Sequence, residues 1–329
     1  MPQSLYIRRS IATLAVGLSL CIHAGAEEGK ALDLLEGMSD AVASQSYVGT
    51  VMYGSPEHWD TARIQQSYRN QGLVQRTDYL TGPKRAQIRA GNEVVCIHDG
   101  EHRSGMTPDV LKPFGQSFPS SLNSLEHSYD FALADVQSER IAGRATVSIW
   151  IIPEQSDRYA HQIWLDKASN LPLKAEVTNE QGDVLRRYQF VSLDTDYVMA
   201  DRDLRTADIG HTLRFSVKDT TGITPESDWY PSWLPQGFEI QQSVQSDDNI
   251  RMTFSDGLAS FSLFIDRVGQ GRSSSSRVSR QWGPVSATVE DILTQDGQRV
   301  RLSVVGELPP MTLDKVLDSA IPSYSLSMK

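Results

Sequence analysis

Hydrophobic positions along this chain change period near Tyr47 and again close to the C-terminus. From Lys30 to Ser44 the apolar residues Leu32, Leu35, Met38, Ala41 and Val42 recur at helical spacing, with Leu34 on the same half, which predicts one amphipathic helix. Beyond Tyr47 the period drops to two. Val48 to Tyr53, Ile64 to Tyr68, Leu73 to Arg76, Ala86 to Ile88 and Val94 to Ile97 follow one another, with Gln71-Gly72, Gly91-Asn92 and Asp99-Gly100 as turns, which predicts an antiparallel meander. Residues 103–130 break the rhythm with prolines and glycines yet carry Met106, Leu111, Phe114, Phe118, Leu122, Leu125 and Tyr129, so a flap packed over the sheet's concave face is expected. Strands resume at Ala145–Ile152, His161–Leu165, Leu173–Val177 and Arg187–Phe190.

A second domain opens at Trp229-Tyr230-Pro231-Ser232-Trp233-Leu234-Pro235-Gln236-Gly237-Phe238. Proline locks φ and pushes the preceding residue out of the helical region, so this run is an extended, turning entry. Asp256-Gly257 supplies a hairpin turn, after which Ala259, Phe261, Leu263 and Ile265 alternate with Ser260 and Ser262 as a half-buried strand. Further strands are expected near Phe238–Ile240, Ile250–Phe254, Val285–Val289 and Val300–Val305. The terminal helix is read with Thr312 as N-cap and Leu313, Val316, Leu317 and Ala320 on its buried side. The resulting division is 1–26 leader, 27–207 first domain, 208–226 linker and 227–329 second domain.

Arg8 and Arg9, the apolar run Ile11–Ile22 and Ala24-Gly25-Ala26 form a secretory signal pattern. Leu20 before Cys21 argues against lipid attachment, and Ser10-Ile11-Ala12-Thr13 after the arginine pair favours general secretion over twin-arginine export, so a soluble exported product is expected. Without the leader, 29 of the 31 basic residues face 41 acidic ones, a net charge of −12, which makes the chain a poor candidate for non-specific nucleic-acid binding. Cys96 is then the one remaining cysteine, within Val94-Val95-Cys96-Ile97, and reads as a buried small hydrophobe.

The sequence contains no Gly-x-Ser-x-Gly, no His-Glu-x-x-His and no phosphate-cradling glycine loop, so no catalytic residue, metal site or cofactor is assigned. The cluster His98-Asp99-Gly100-Glu101-His102 is explained by a hairpin turn without a third ligand spacing; His58, His127, His161 and His211 are scattered. Six tryptophans and eleven tyrosines favour binding, since such rings give contact area at low entropic cost. Candidate partner-binding residues are Trp229, Trp233, Phe238, Arg272, Arg277, Arg280 and Trp282, the arginines being suited to an acidic partner or lipid phosphates or else lying in a solvated loop.

Leu234-Pro235-Gln236-Gly237-Phe238, then Asp256-Gly257-Leu258-Ala259 with Phe261 and Phe264, then Val304-Val305-Gly306-Glu307-Leu308-Pro309 before a terminal helix, together resemble the C-terminal domain of the RseB/MucB family. These are periplasmic negative regulators of the sigma-E or AlgU type envelope-stress response. Ile163-Trp164-Leu165-Asp166 and Asn170-Leu171-Pro172-Leu173 are similar to a strand–turn–strand of LolA-type lipoprotein carriers, whose fold the family's first domain shares. The resemblance implies an α+β, mainly antiparallel β protein: an open half-barrel packed on helices, followed by a smaller β-rich domain with a terminal helix. It implies binding to the periplasmic domain of a RseA/MucA-type anti-sigma factor, protection of that segment from site-1 proteolysis, and sensing of lipopolysaccharide or lipoprotein acyl chains. The residues expected to line the lipid trough are Val51, Tyr53, Phe114, Phe118, Phe131, Ile149, Trp150 and Trp164. A periplasmic lipoprotein or lipid carrier is the alternative, a hydrolase of envelope polymers a third reading, and a homodimer is left open.

Overall fold

The computed structural model describes residues 12–69, 72–91, 93–98, 122, 125–134, 139–200, 211–216, 229–246, 248–269, 277–294 and 297–321. The first unit is a helix α1 (Ala12–Ser44) and twelve strands: β1 (Tyr47–Ser55), β2 (His58–Arg69), β3 (Gly72–Tyr79), β4 (Arg85–Ala90), β5 (Glu93–His98), β6 (Tyr129–Leu133), β7 (Arg140–Ile141), β8 (Arg144–Pro153), β9 (Ala160–Asp166), β10 (Pro172–Thr178), β11 (Val184–Asp194) and β12 (His211–Ser216). Their order is β12-β5-β4-β3-β2-β1-β11-β10-β9-β8-β6, with β7 attached to β8. Two meanders thus meet where β11 pairs with β1, and β12 and β6 end the sheet without pairing to each other, so it stays open. β12 lies inside the span expected as a linker; its backbone belongs to this sheet, paired with β5 from His211↔His98 to Ser216↔Glu93.

The sheet wraps round α1. Ala31, Leu35, Met38, Ala41 and Val42 are buried in one cluster with Val51, Ile64, Ile149, Ile151, Ile163, Leu165, Leu173 and Phe190. Ala31 stands at the centre of the helical stripe, where Leu32 was expected; Leu32 and Leu34 are only partly buried. Gln66 fixes the end of the helix, its Nε2 donating to the carbonyls of Val42 (2.9 Å) and Gln45 (3.1 Å), which the helix itself leaves without partners. Gly49 on β1 is needed for close approach, since a Cβ there would lie 2.6 Å from the Ser192 carbonyl oxygen and 2.5 Å from the Phe190 ring.

Beyond β2 the sheet reverses its polarity. Ile64 and Gln66 face α1, so their cross-strand neighbours Thr77 and Gln75, then Gln87, face the same way, and all three are buried. The apolar side chains of these strands, Val74, Ala86, Ile88, Val95 and Ile97, form a separate cluster on the opposite face. Cys96, opposite Gln87, is buried, and burial pushes its thiol pKa up.

The second unit is a six-stranded antiparallel sheet of β13 (Glu239–Gln245), β14 (Asn249–Ser255), β15 (Ser260–Gly269), β16 (Val278–Trp282), β17 (Val285–Leu293) and β18 (Arg299–Gly306), in the order β13-β14-β15-β18-β17-β16, with α2 (Pro310–Ala320) across one face. Its core joins Phe238, Met252, Phe254, Phe261, Leu263, Ile265, Leu302 and Val304 to Leu313, Val316, Leu317 and Ala320. Phe254 stacks on Phe261 at 4.9 Å. Thr312 is not the N-cap: Pro309 occupies that position, Pro310 begins the helix with φ already set, and the buried Thr312 hydroxyl donates instead to the Asp157 carbonyl of the first unit (2.9 Å). Among the described residues no helix is long and apolar enough to cross a membrane.

His161 on β9 lies on the α1 side, opposite Ile151, and its Nδ1 has no hydrogen-bond partner. Burial first, and the nearby Arg186 cation second, lower its pKa to about 4, while Glu307 opposes them.

Two outcomes follow from this packing. Replacing Gly49 by Ala should cost about 1–3 kcal/mol in a urea unfolding titration, because the neighbouring backbone cannot retreat. The His161 pKa is below its unfolded value of about 6.5, so the folded state binds fewer protons. The associated stability is present above that value and falls as pH drops toward 4, by on the order of 3 kcal/mol; His161→Gln should flatten the loss in melts taken across that range.

Candidate functional site

The two units meet through side chains from connecting turns and from the ends of strands. Arg158, between β8 and β9, and Asp256, between β14 and β15, form an ion pair of 2.7 Å whose side chains are each 2% exposed. Such a pair is stable only if every remaining donor and acceptor is used. Arg158 also donates from Nε to Asp157 (2.8 Å) and from Nη2 to the Gln236 carbonyl (2.7 Å). It lies 5.2 Å from the ring centres of both Tyr129 and Phe238. Asp256 divides its oxygens: Oδ1 accepts from the amides of Leu258 (2.9 Å) and Ala259 (2.7 Å), while Oδ2 accepts from Arg158 and from the Tyr129 hydroxyl (2.8 Å). Burial, and then the Asp256 carboxylate, push the Tyr129 phenol pKa well up, so the hydroxyl stays a donor.

Around this pair the contacts are polar and specific. Gln236 Nε2 donates to the His127 carbonyl (2.9 Å), and Gln281 Nε2 to the Tyr159 hydroxyl (3.1 Å). Arg186 of β11 holds Glu307 through two bonds, one of 2.9 Å; burial works to raise the Glu307 carboxyl, but Arg186 prevails and keeps its pKa below the usual range. Leu258, on the same turn as Asp256, packs against the first unit's core. Beside the joint lies a cleft of about 470 Å³ lined by Tyr159, Gln181, Trp233, Gln281, Met311 and Lys315, among others.

The residues expected to line a lipid trough separate into three groups. Val51, Tyr53, Phe131 and Ile149 face α1 together; Val51, Phe131 and Ile149 are fully covered and Tyr53 is partly buried, so at these positions α1 fills the space assigned to a ligand. Trp150 and Trp164 are corrected on strand parity. Ile149 pairs with Ile163 and faces α1, so its chain neighbour Trp150, and Trp164 opposite Ser148, belong to the other face, where Trp164 is buried with Lys174 3.8 Å above its ring. Phe114 and Phe118 lie outside the described residues.

The partner-binding set also divides. Phe238 is core, and Trp229 and Trp233 are partly buried against the same cluster, Trp233 carrying Lys315 3.7 Å over its ring at the cleft. Arg277 is consumed internally by Glu290 and Asp318. Arg280 and Trp282 are exposed on β16, Trp282 by 62%. Arg272 lies outside the described residues, as does residue 99–102 of the histidine cluster. Among the described residues no group of three or more His, Cys, Asp or Glu could hold a metal ion. Sequence reasoning missed Arg158, Tyr129 and Glu307 as joint residues; the two motifs Leu234–Phe238 and Asp256–Ala259 were noticed, but not that both close on one arginine.

Comparison with known proteins is consistent over both units. Models of the MucB/RseB N-terminal domain and of the MucB/RseB C-terminal domain match residues 30–208 and 224–320. The sigma factor AlgU regulatory protein MucB of Pseudomonas aeruginosa is 29% identical over 96% of this chain and 98% of its own, and the sigma-E factor regulatory protein RseB of Escherichia coli K12 is 25% identical over 87% and 89%. Among solved structures, the Pseudomonas aeruginosa MucA/MucB complex aligns with a TM-score of 0.72 at 27% identity, covering 88% of this chain and 97% of the other, and MucB in complex with MucA(peri) aligns with a TM-score of 0.68 at the same identity and coverage. With each of its two units matched in sequence order, this chain belongs to the MucB/RseB family.

Proposed function

We propose that this protein is a periplasmic regulator that binds the periplasmic segment of a membrane-spanning anti-sigma factor and thereby represses an envelope-stress sigma factor. The observation that carries this reading is the alignment of 88% of the chain, both units included, with MucB solved together with MucA. The means is steric: a segment held in extended form against a folded surface cannot enter a protease cleft, so the first cut is prevented. The signal pattern in residues 1–26 supports export to that compartment.

The same architecture supports a further part of this reading, the sensing of acyl chains from lipopolysaccharide or lipoprotein. The apolar interior of the first unit is filled by α1 and flanked by Leu258 of the second. A greasy chain entering there gains about 0.8 kcal/mol for each CH₂ buried, and it competes with Leu258 or α1 for the same space. Entry therefore strains the joint, and by linkage the lipid and the anti-sigma segment weaken each other's binding equally. A lipid carrier alone would have no use for a second unit locked on by a buried ion pair, which favours the regulator.

The test is a proteolysis assay: saturating protein should lengthen the life of the anti-sigma segment before its site-1 protease at least tenfold, and an unchanged cutting rate would sink the reading. Added lipid A should restore cutting. Arg158→Met should lower unfolding stability by about 3–5 kcal/mol by stranding Asp256, and adding Asp256→Asn should recover much of that loss in thermal melts. With the joint already loosened, the effect of lipid A on segment affinity should shrink in the single variant.

A further inference from the structure

A sheet edge that no strand covers carries unpaired amides and carbonyls, and folded proteins blunt such edges with bulges, charges or neighbouring structure. The two sheets have four ends. β6 is engaged at the joint through Tyr129, and β13 is interrupted by a register shift between Ile240 and Gln242. β12 pairs on one side with β5, and its side chains lie outside the description. β16 also touches the first unit at its end, through Gln281 to the Tyr159 hydroxyl, but its register with β17 is unbroken from Val278↔Val289 to Trp282↔Val285, and no described strand pairs with its outer side.

The side chains of β16 divide by parity. Ser279 faces α2, where Asp314 accepts from its hydroxyl, and Arg277 just before the strand reaches Glu290 and Asp318. Val278, Arg280 and Trp282 face the other side of the sheet, which no described helix covers. Val278 is 46% and Trp282 62% exposed, and the surface continues over Val285, Val289 and Val305. The Arg280 guanidinium donates only to the Ser279 carbonyl and has no acidic partner among the described residues, whereas Arg277 has two. In a chain of net charge −10 such an open cation next to an open indole is a recognition feature.

We propose that β16 is the docking edge for the anti-sigma segment, which adds to it as a further strand bearing an acidic residue beside Arg280 and apolar residues against Val278 and Trp282. The inference rests on the binding function proposed above and locates it. Backbone bonds to the edge hold any extended chain, and the alternate pockets select an apolar-x-acidic-x-apolar sequence. The occupant is a partner chain of that kind because relatives aligning over both units were solved with MucA(peri), and because the open charge on the edge is positive.

The experiment uses the full chain and the periplasmic segment of the MucA-type anti-sigma factor from the same organism, with calorimetric titration and hydrogen exchange. Amides of 278–282 should slow at least tenfold on binding. Trp282→Ala should weaken the complex about 30-fold and Arg280→Glu about tenfold, with unchanged melting since both side chains are exposed, while Val244→Ala at the opposite edge should have no effect. Binding with unaltered exchange at 278–282 and wild-type affinity in both variants overturns this location and leaves the proposed function standing. Absence of binding by the unaltered chain overturns both. Concentration-dependent protection of 278–282 without the segment overturns it in favour of a second copy of this chain at the edge.

Discussion

The arrangement of the two units depends on a buried charge. Taking Arg158 and Asp256 out of water is costly, and the cost is met only while both are present and every other hydrogen-bonding group on them is occupied. Gln236, Asp157, Tyr129 and the Leu258 and Ala259 amides supply those partners, so the joint tolerates little sliding. A purely apolar contact of the same size would accept many relative positions; this one specifies a single position and leaves a stranded charge on either side when it fails.

The polarity reversal beyond β2 limits what the open sheet can hold. On the α1 side, apolar surface is provided by β1, β2, β6 and β8–β11 and is already spent on the helix, while Gln66, Gln75, Thr77 and Gln87 continue the same face as a polar floor. An acyl chain laid along that floor would displace buried amides from their bonds, as Gln66 from the end of α1. Under the proposed lipid response, a chain avoiding that floor would have to compete at the joint, where Leu258 packs on the same core.

Much of this was readable from the residues. The helix over Lys30–Ser44 with Leu35, Met38, Ala41 and Val42 buried, the meander from Tyr47 and the Asp256-Gly257 hairpin each rest on local periodicity or turn chemistry, and each is present. What was not readable had a physical reason. Alternation tells which residues share a face but not which face is inward, so the polar floor was invisible; yet the placing of Ile149 and Trp150 in one trough was excluded by parity alone. Arg158 sits in a loop 98 residues from Asp256, and nothing local announces a partner at that distance. Thr312 looked like a cap because Ser and Thr usually are, but its hydroxyl serves a carbonyl in the other unit.

The division of labour within Asp256 has a kinetic consequence. One oxygen holds its own turn through the Leu258 and Ala259 amides, and the other alone reaches across to Arg158 and Tyr129. Separation of the units therefore leaves the turn shaped as it was, with a single freshly hydrated oxygen pointing outward. Re-docking after such a separation would then need no search through conformations of that turn.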